Sequence, residues 1–439
     1  MSAGGKAQAG RTAYVNARLL DPASGLDRPG TLLVEGGRIA ELGPGVLADG
    51  VPEGFEVVDC AGHCLAPGLV DMRAHLREPG AEHKETLASA SRAAAAGGVT
   101  SIACMPNTDP VIDGIALIEF IARRARETSL VKIYPIAAIT RGLAGRELTE
   151  MGLLTEAGAV GFSDADRAVA DSLVMLRALS YCRAFDGLIM QHPEDPVLGT
   201  GDMNAGELAT RLGLSGIPNA AEVIVVERDL RLVEMIGGRY HVAHLSTREA
   251  IAALGAAKAR GLAVTCAVAA HHFALNETSV DDYRTFAKVS PPLRAETDRQ
   301  AAVAGLADGT IDVIVSDHAP HDEDSKRLPF AQAANGIVGL ETMLPLALEL
   351  YHDGKLSLLD LLGKMTVTPA RLLGLSSGVL AAGAPADLVL FDLERPWRID
   401  VDALHSKSRN APYDGRPVQG RVLRTVVSGR TVFTLPAGG

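Results

Sequence analysis

Between residues 66 and 375 the chain repeats one pattern about eight times: a short apolar run, then a helical stretch rich in Ala and Leu. The runs are GLVDMRAHL, TSIACMPN, KIYPIAAI, AVGFSDA, LIMQHPE, YHVAHLS, VTCAVAAHH and DVIVSDHAP. The helical stretches include ETLASASRAAAAGG, IALIEFIARRARE, DSLVMLRALSYCRAF and AAEVIVVERDLRLVEMIGG. Strands alternating with helices imply parallel pairing through crossover connections. Eight such units fit a closed (β/α)8 TIM-type barrel better than an open sheet.

The ends of the chain have another texture. Residues 12–60 and the segments ADLVLFDL, GRVLRTVVSG and RTVFTL read as short strands separated by Gly, Pro and Asp. The expected organisation is a tail over 1–11, a composite β-sandwich from 12–60 plus 376–436, and the barrel over 61–375.

The charge balance, 42 Lys+Arg against 53 Asp+Glu, gives −11. That argues against nucleic acid or an anionic membrane as partner, since either needs a basic face. No apolar run reaches the roughly 18 residues of a transmembrane helix, and MSAGGKAQAGRTAY lacks the apolar core of a signal peptide. Cys60 and Cys64 are spaced like half a zinc site, but no second Cys pair completes it, so all five cysteines read as ordinary thiols of a reducing, cytoplasmic compartment.

In such barrels the chemistry sits at the C-terminal ends of the strands. The runs end on Arg73, His75 and Arg77; Asn107; Asp164; His192; His244; His271 and His272; Asp317, His318 and His321. Singly, each has a bland reading: Asp164, His192 and His244 could each cap a helix or loop, and His271 and His272 read better as loop hydrogen-bonders than as ligands. Together, His75, Asp164, His192, His244 and Asp317 form an imidazole–carboxylate set in barrel order. That mixture suits Zn²⁺ ahead of Mn²⁺ or Fe²⁺.

PGLVDMRAHLREPG, SIACMPNTDPV, GFSDAD, QHPED, VAHLSTREA, KVSPPLR, SDHAPHDED and GIVGLE stand in the order found in the class I dihydroorotases of the amidohydrolase superfamily, which the chain resembles from about residue 60 to 375. The resemblance implies a Zn²⁺-dependent cyclic amidohydrolase that interconverts N-carbamoyl-L-aspartate and dihydroorotate in pyrimidine biosynthesis. It implies one or two ions, with His75 as a ligand of the first, Asp164 bridging, His192 and His244 on the second, and Asp317 as both ligand and catalytic proton shuttle. Arg77, Asn107, Ser290, His321, Asn335 and Gly336 match substrate-binding positions, with Arg77 and Asn107 gripping a carboxylate. Homo-oligomerisation follows by analogy.

Three positions depart from the family pattern. Arg73 stands where the first metal-binding His belongs, and a guanidinium has no lone pair to offer. Ser290 replaces an Asn, and Asn335 a bulky apolar residue. The Arg73 departure keeps two alternatives open: a non-catalytic dihydroorotase-like scaffold for aspartate transcarbamoylase, and a hydantoinase- or allantoinase-like hydrolase. The segment 319–328 reads equally as a solvated loop or a lid.

Overall fold

The computed structural model describes residues 10–47 and 50–436, so most of the tail expected over 1–11 lies outside the described residues. Strands β1 (Thr12–Asp21), β2 (Leu26–Glu35) and β3 (Arg38–Gly43) form an antiparallel meander. β4 (Glu56–Asp59) and β5 (Cys64–Pro67) both run parallel to β1.

The chain then enters the barrel through β6 (Leu69–Ala74), β7 (Val99–Cys104), β8 (Lys132–Pro135) and β9 (Leu188–Gln191). A two-residue parallel pair, β10 (Met203–Asn204) and β11 (Gly216–Ile217), follows in the loop beyond β9. β12 (Arg239–Val242), β13 (Val264–Ala269) and β14 (Val313–Val315) complete the regular staves. All neighbouring pairs are parallel. Parallel bridges from Ala137 through Phe162 to Ile189 supply the stave between β8 and β9, and Ala74 pairs with His318 to close the ring. The eight-stave barrel expected from the alternation is therefore present, with its fourth stave reduced to a bridge around Phe162.

The strand interior explains the near-continuous apolar runs. β6 and β7 are buried along their whole length, as parallel strands covered on both faces must be. Val70 and Met72, Ala103 and Met105, Leu188 and Met190, Ala267 and Ala269, and Val313 and Val315 meet in one cluster. These are i, i+2 pairs, which share a face of their strand, so they fill the barrel interior. The alternate residues Leu69, Ile102, Ile189, Val242, Val268 and Ile314 belong to the larger cluster that packs outward against the helices.

After the barrel, β15 (Leu388–Arg398) pairs antiparallel with β5, and β16 (Pro417–Val427) and β17 (Arg430–Thr434) extend the sheet. Strands from both ends of the sequence thus share one sheet, ordered β17-β16-β15-β5-β1-β2-β3. Its own core gathers Tyr14, Leu19, Leu32, Ile39, Leu65, Leu388 and Val426. Among the described residues no helix is long and apolar enough to cross a membrane.

Candidate functional site

The β6–β7 register slips between Asp71 and Ala74, so one strand carries an extra residue there. Such a bulge re-aims a side chain at a barrel rim, and here it turns Arg73 into the mouth. Arg73 Nε donates to Asp317 Oδ1 at 2.7 Å, and Nη2 to Asp166 Oδ1 at 2.7 Å. The guanidinium is 1% exposed. Three non-glycine residues of this mouth, Arg77, Ala165 and Asp317, hold positive φ of 61°, 57° and 47°. Strain of that kind is held by surrounding structure and clusters at functional sites.

Asp164, expected to bridge two metals, does not join the other candidates. Its Oδ1 accepts from the backbone N–H of Ile139 (3.0 Å) and Thr140 (2.9 Å), and its Oδ2 from the Thr140 hydroxyl. All three donors belong to the loop after β8, so Asp164 clamps that loop. The carboxylate at the mouth is Asp166. Besides Arg73 it accepts from Asn107 Nδ2 at 3.1 Å, and its Oδ1 lies 3.4 Å from His75 Nε2. The left-handed turn at Ala165 lets two aspartates two positions apart serve different neighbours. Burial alone would raise the pKa of Asp166, but His75, Arg73 and His192 around it hold the carboxyl well below the usual range.

His192 Nδ1 faces His244 Nε2 at 3.0 Å. His244 Nδ1 lies 3.6 Å, and His271 Nε2 3.9 Å, from Asp317 Oδ2, the oxygen that Arg73 leaves free. Both of those ring nitrogens are buried with no hydrogen-bond partner. His272 Nε2 donates to Pro291 O at 3.0 Å, which fits its loop-bonding expectation, whereas His271 turns to the mouth. Burial, reinforced by Arg73, pushes His192 down to about 4 and His271 to about 3, so these rings are neutral near pH 7. Ser290 Oγ bridges His192 Nε2 (3.4 Å) and Glu194 Oε1 (3.2 Å).

At the outer lip, Arg77 Nε donates to Pro320 O, and its Nη2 sits 3.2 Å from His321 Nε2. Lys84 Nζ approaches the other ring nitrogen, Nδ1, at 3.4 Å. Burial pushes His321 to about 3. A neutral imidazole has one acceptor nitrogen, so it can accept a hydrogen bond from only one of these two cations. The other keeps a spare N–H at the lip, a ready donor for an anion. Asn410 Oδ1 accepts from His321 N, and Asn410 Nδ2 donates to Ala319 O and Gly336 O. Lys326, fully buried, donates to Ala334 O and Gly336 O, so the segment 319–328 is anchored at its far end. Asn335 is exposed, and Asn107 spends its amide on Asp166 and its carbonyl on His75 Nδ1 (2.8 Å).

Do these residues fit a two-metal centre? A first ion would have to be held by Asp166 and Asp317, and Arg73 already bonds both. A divalent cation about 4 Å from that guanidinium meets a repulsion of roughly 8 kcal/mol at an effective dielectric of about 20. The second position offers His192 Nδ1 and His244 Nε2, one donor short of the three protein ligands that catalytic zinc sites keep. Asp166, the natural third, is shared between Arg73 and Asn107. Among the described residues no group of three or more His, Cys, Asp or Glu is placed to hold a metal ion. The donor set as arranged does not fit a dinuclear centre.

Asp166, Lys84, Glu194 and Asn410 escaped the sequence reading, while His271 was placed at a strand end but read as a loop hydrogen-bonder. The spacing SDAD offered two carboxylates, and only the Thr140 contact decides between them.

Comparison with known proteins agrees with this architecture. The dihydro-orotase-like family matches residues 62–250, and the amidohydrolase family residues 215–432. The chain is 49% identical to the dihydroorotase of Anaplasma phagocytophilum over 98% of its own length and 97% of that protein. It is 49% identical to the dihydroorotase of Pelobacter propionicus over 95% and 98%. Among solved structures, the L-hydantoinase (dihydropyrimidinase) of Arthrobacter aurescens superposes with a TM-score of 0.86 at 25% identity, covering 97% of each chain. With half of all positions shared across almost the whole length, this chain belongs to the dihydroorotase family of amidohydrolases.

Proposed function

We propose that this chain is a dihydroorotase-type cyclic amidohydrolase, taking dihydroorotate and N-carbamoyl-L-aspartate as its substrate pair in pyrimidine biosynthesis. The observation that carries the reading is the lip, where Arg77 and Lys84 share one neutral imidazole and leave a donor for an anion. A guanidinium fork matches a planar carboxylate, and both members of the pair carry one. The near-full-length kinship with dihydroorotases supplies the ring chemistry.

The residues then divide the work. Arg77 holds the carboxylate and His321 orients Arg77. Asn410 and Lys326 fix the loop backbone at Ala319 and Gly336 that frames the opposite wall. Asp317 Oδ2, left free by Arg73 beside His244 and His271, can carry a proton between water and the ring nitrogen. Zn²⁺ is the cofactor that kinship suggests, and the His192–His244 pair is the place left for one ion. Five unbridged cysteines fit a reducing cytoplasm.

One observation favours a second reading. With Arg73 bonded to both Asp166 and Asp317 the mouth would turn nothing over, and the chain would serve as a non-catalytic scaffold for aspartate transcarbamoylase. One experiment separates the two: ring opening of dihydroorotate followed by absorbance, alongside calorimetric binding of the same compound and co-purification of aspartate transcarbamoylase. Turnover abolished by Asp317→Asn supports the hydrolase. No turnover together with co-purification of aspartate transcarbamoylase supports the scaffold, and neither turnover nor co-purification overturns both. Arg77→Lys should weaken binding about tenfold or more, the worth of a lost bidentate contact.

A further inference from the structure

The polar side chains of the mouth run in one belt, with a gap at the 3.6 Å step from His244 Nδ1 to Asp317 Oδ2. Glu194 Oε1 accepts from Ser290 Oγ, which also meets His192 Nε2; His192 Nδ1 meets His244 Nε2. His244 Nδ1 faces Asp317 Oδ2, and Asp317 Oδ1 accepts from Arg73 Nε. Arg73 Nη2 reaches Asp166, which accepts from Asn107, and Asn107 Oδ1 meets His75 Nδ1. We infer that Arg73 is the resident cation of this mouth: its guanidinium permanently fills the position between Asp166 and Asp317, and the chain folds without a divalent cation there.

Three features carry this. The guanidinium is almost wholly excluded from solvent, and both of its short bonds go to the two carboxylates a cation there would need. Its third nitrogen, Nη1, turns to Ala165 O at 3.4 Å. A guanidinium keeps its charge at any pH a protein survives, so the position is not vacated by titration. The belt also orients two of the rings. His192 Nδ1–H can donate to His244 Nε2, which leaves His244 Nδ1–H directed at Asp317 Oδ2, while the one Ser290 hydroxyl proton goes to Glu194 Oε1. His192 and His244 bond each other, while His244 Nδ1 and His271 Nε2 stay without a hydrogen-bond partner near Asp317 Oδ2.

The inference concerns charge and folding, so an assay that finds no ring opening leaves it intact. The experiment is metal content per folded chain after purification with zinc and gel filtration, together with melting in the presence of zinc or a chelator. Wild type is expected to carry no more than one zinc ion per chain. Arg73→His is expected to carry at least one more zinc ion per chain than wild type and to melt higher with zinc than with chelator. The zinc count of wild type itself keeps the test decisive if Arg73→His fails to fold. Two ions in wild type, or equal zinc in wild type and folded Arg73→His, would each overturn it.

Discussion

Arg73 Nε and Asp317 Oδ1, 244 residues apart in the chain, meet at 2.7 Å in the barrel mouth, with 1% and 8% of the two side chains exposed. The same guanidinium reaches Asp166, whose side chain is 47% exposed. Removing one partner of a buried pair leaves a charge without compensation, which costs about 3–5 kcal/mol, whereas an exposed pair is worth less than about 1. Arg73→Met should therefore lower stability to urea by about 3 kcal/mol, and Asp317→Asn in the same chain should restore most of it. If Asp166→Asn restores more than Asp317→Asn, the assignment of weight to Asp317 is wrong.

Asp164 is a structural clamp, and its loss should be felt in stability alone. Asp164→Ala orphans Ile139 N, Thr140 N and the Thr140 hydroxyl. Buried donors left without acceptors cost about 1–3 kcal/mol each where water cannot reach them. A total loss of about 3 kcal/mol is expected by denaturant titration, with affinity for dihydroorotate per folded molecule unchanged. A folded variant that loses that affinity would return Asp164 to the mouth.

Asp71 gives a pH signature. Burial raises its carboxyl to about 6, against the Ser316 and Arg73 hydrogen bonds that favour the charged form. The folded chain thus binds a proton that the unfolded chain releases near pH 4. Stability from this group is complete below about pH 4 and lost as pH rises through about 6, a change of up to about 3 kcal/mol. Asp71→Asn should flatten the stability profile over that window. An unchanged slope in the variant would mean that another group titrates there.

All five cysteines are buried and free. Burial raises Cys60 to about 12 and Cys64 to about 11, so neither is a thiolate at neutral pH. A thiol reagent should find no fast-reacting group in the native chain and all five after unfolding. Fast native labelling of Cys60 or Cys64 would contradict their placement.

Much of this architecture was legible in the residues. The alternation of apolar runs and Ala-rich stretches announced the barrel, because parallel strands buried on both faces need uninterrupted apolar sequence. The strand-end positions of His192, His244 and Asp317 announced the mouth, because barrel geometry fixes which end of a strand carries chemistry. Asp166 was not legible. Two aspartates two positions apart share a face in a regular strand, and only the left-handed Ala165 and the donors of the loop after β8 separate them. Those contacts link residues 24 or 25 positions apart in the chain, beyond any local periodicity. His271 was misjudged because a histidine pair looks alike from either ring, and the backbone alone decides that His272 meets Pro291.

The shared terminal sheet has a consequence for synthesis on the ribosome. β5 lies between β1 and β15, and Cys64–Pro67 cannot complete its hydrogen bonding until residues 388–391 have emerged. Through most of translation, then, an apolar strand edge waits unpaired, the kind of template that recruits a neighbouring nascent chain. Messages truncated before codon 388 should yield inclusion bodies, while breaks after β16, which covers the outer edge of β15, should be far better tolerated.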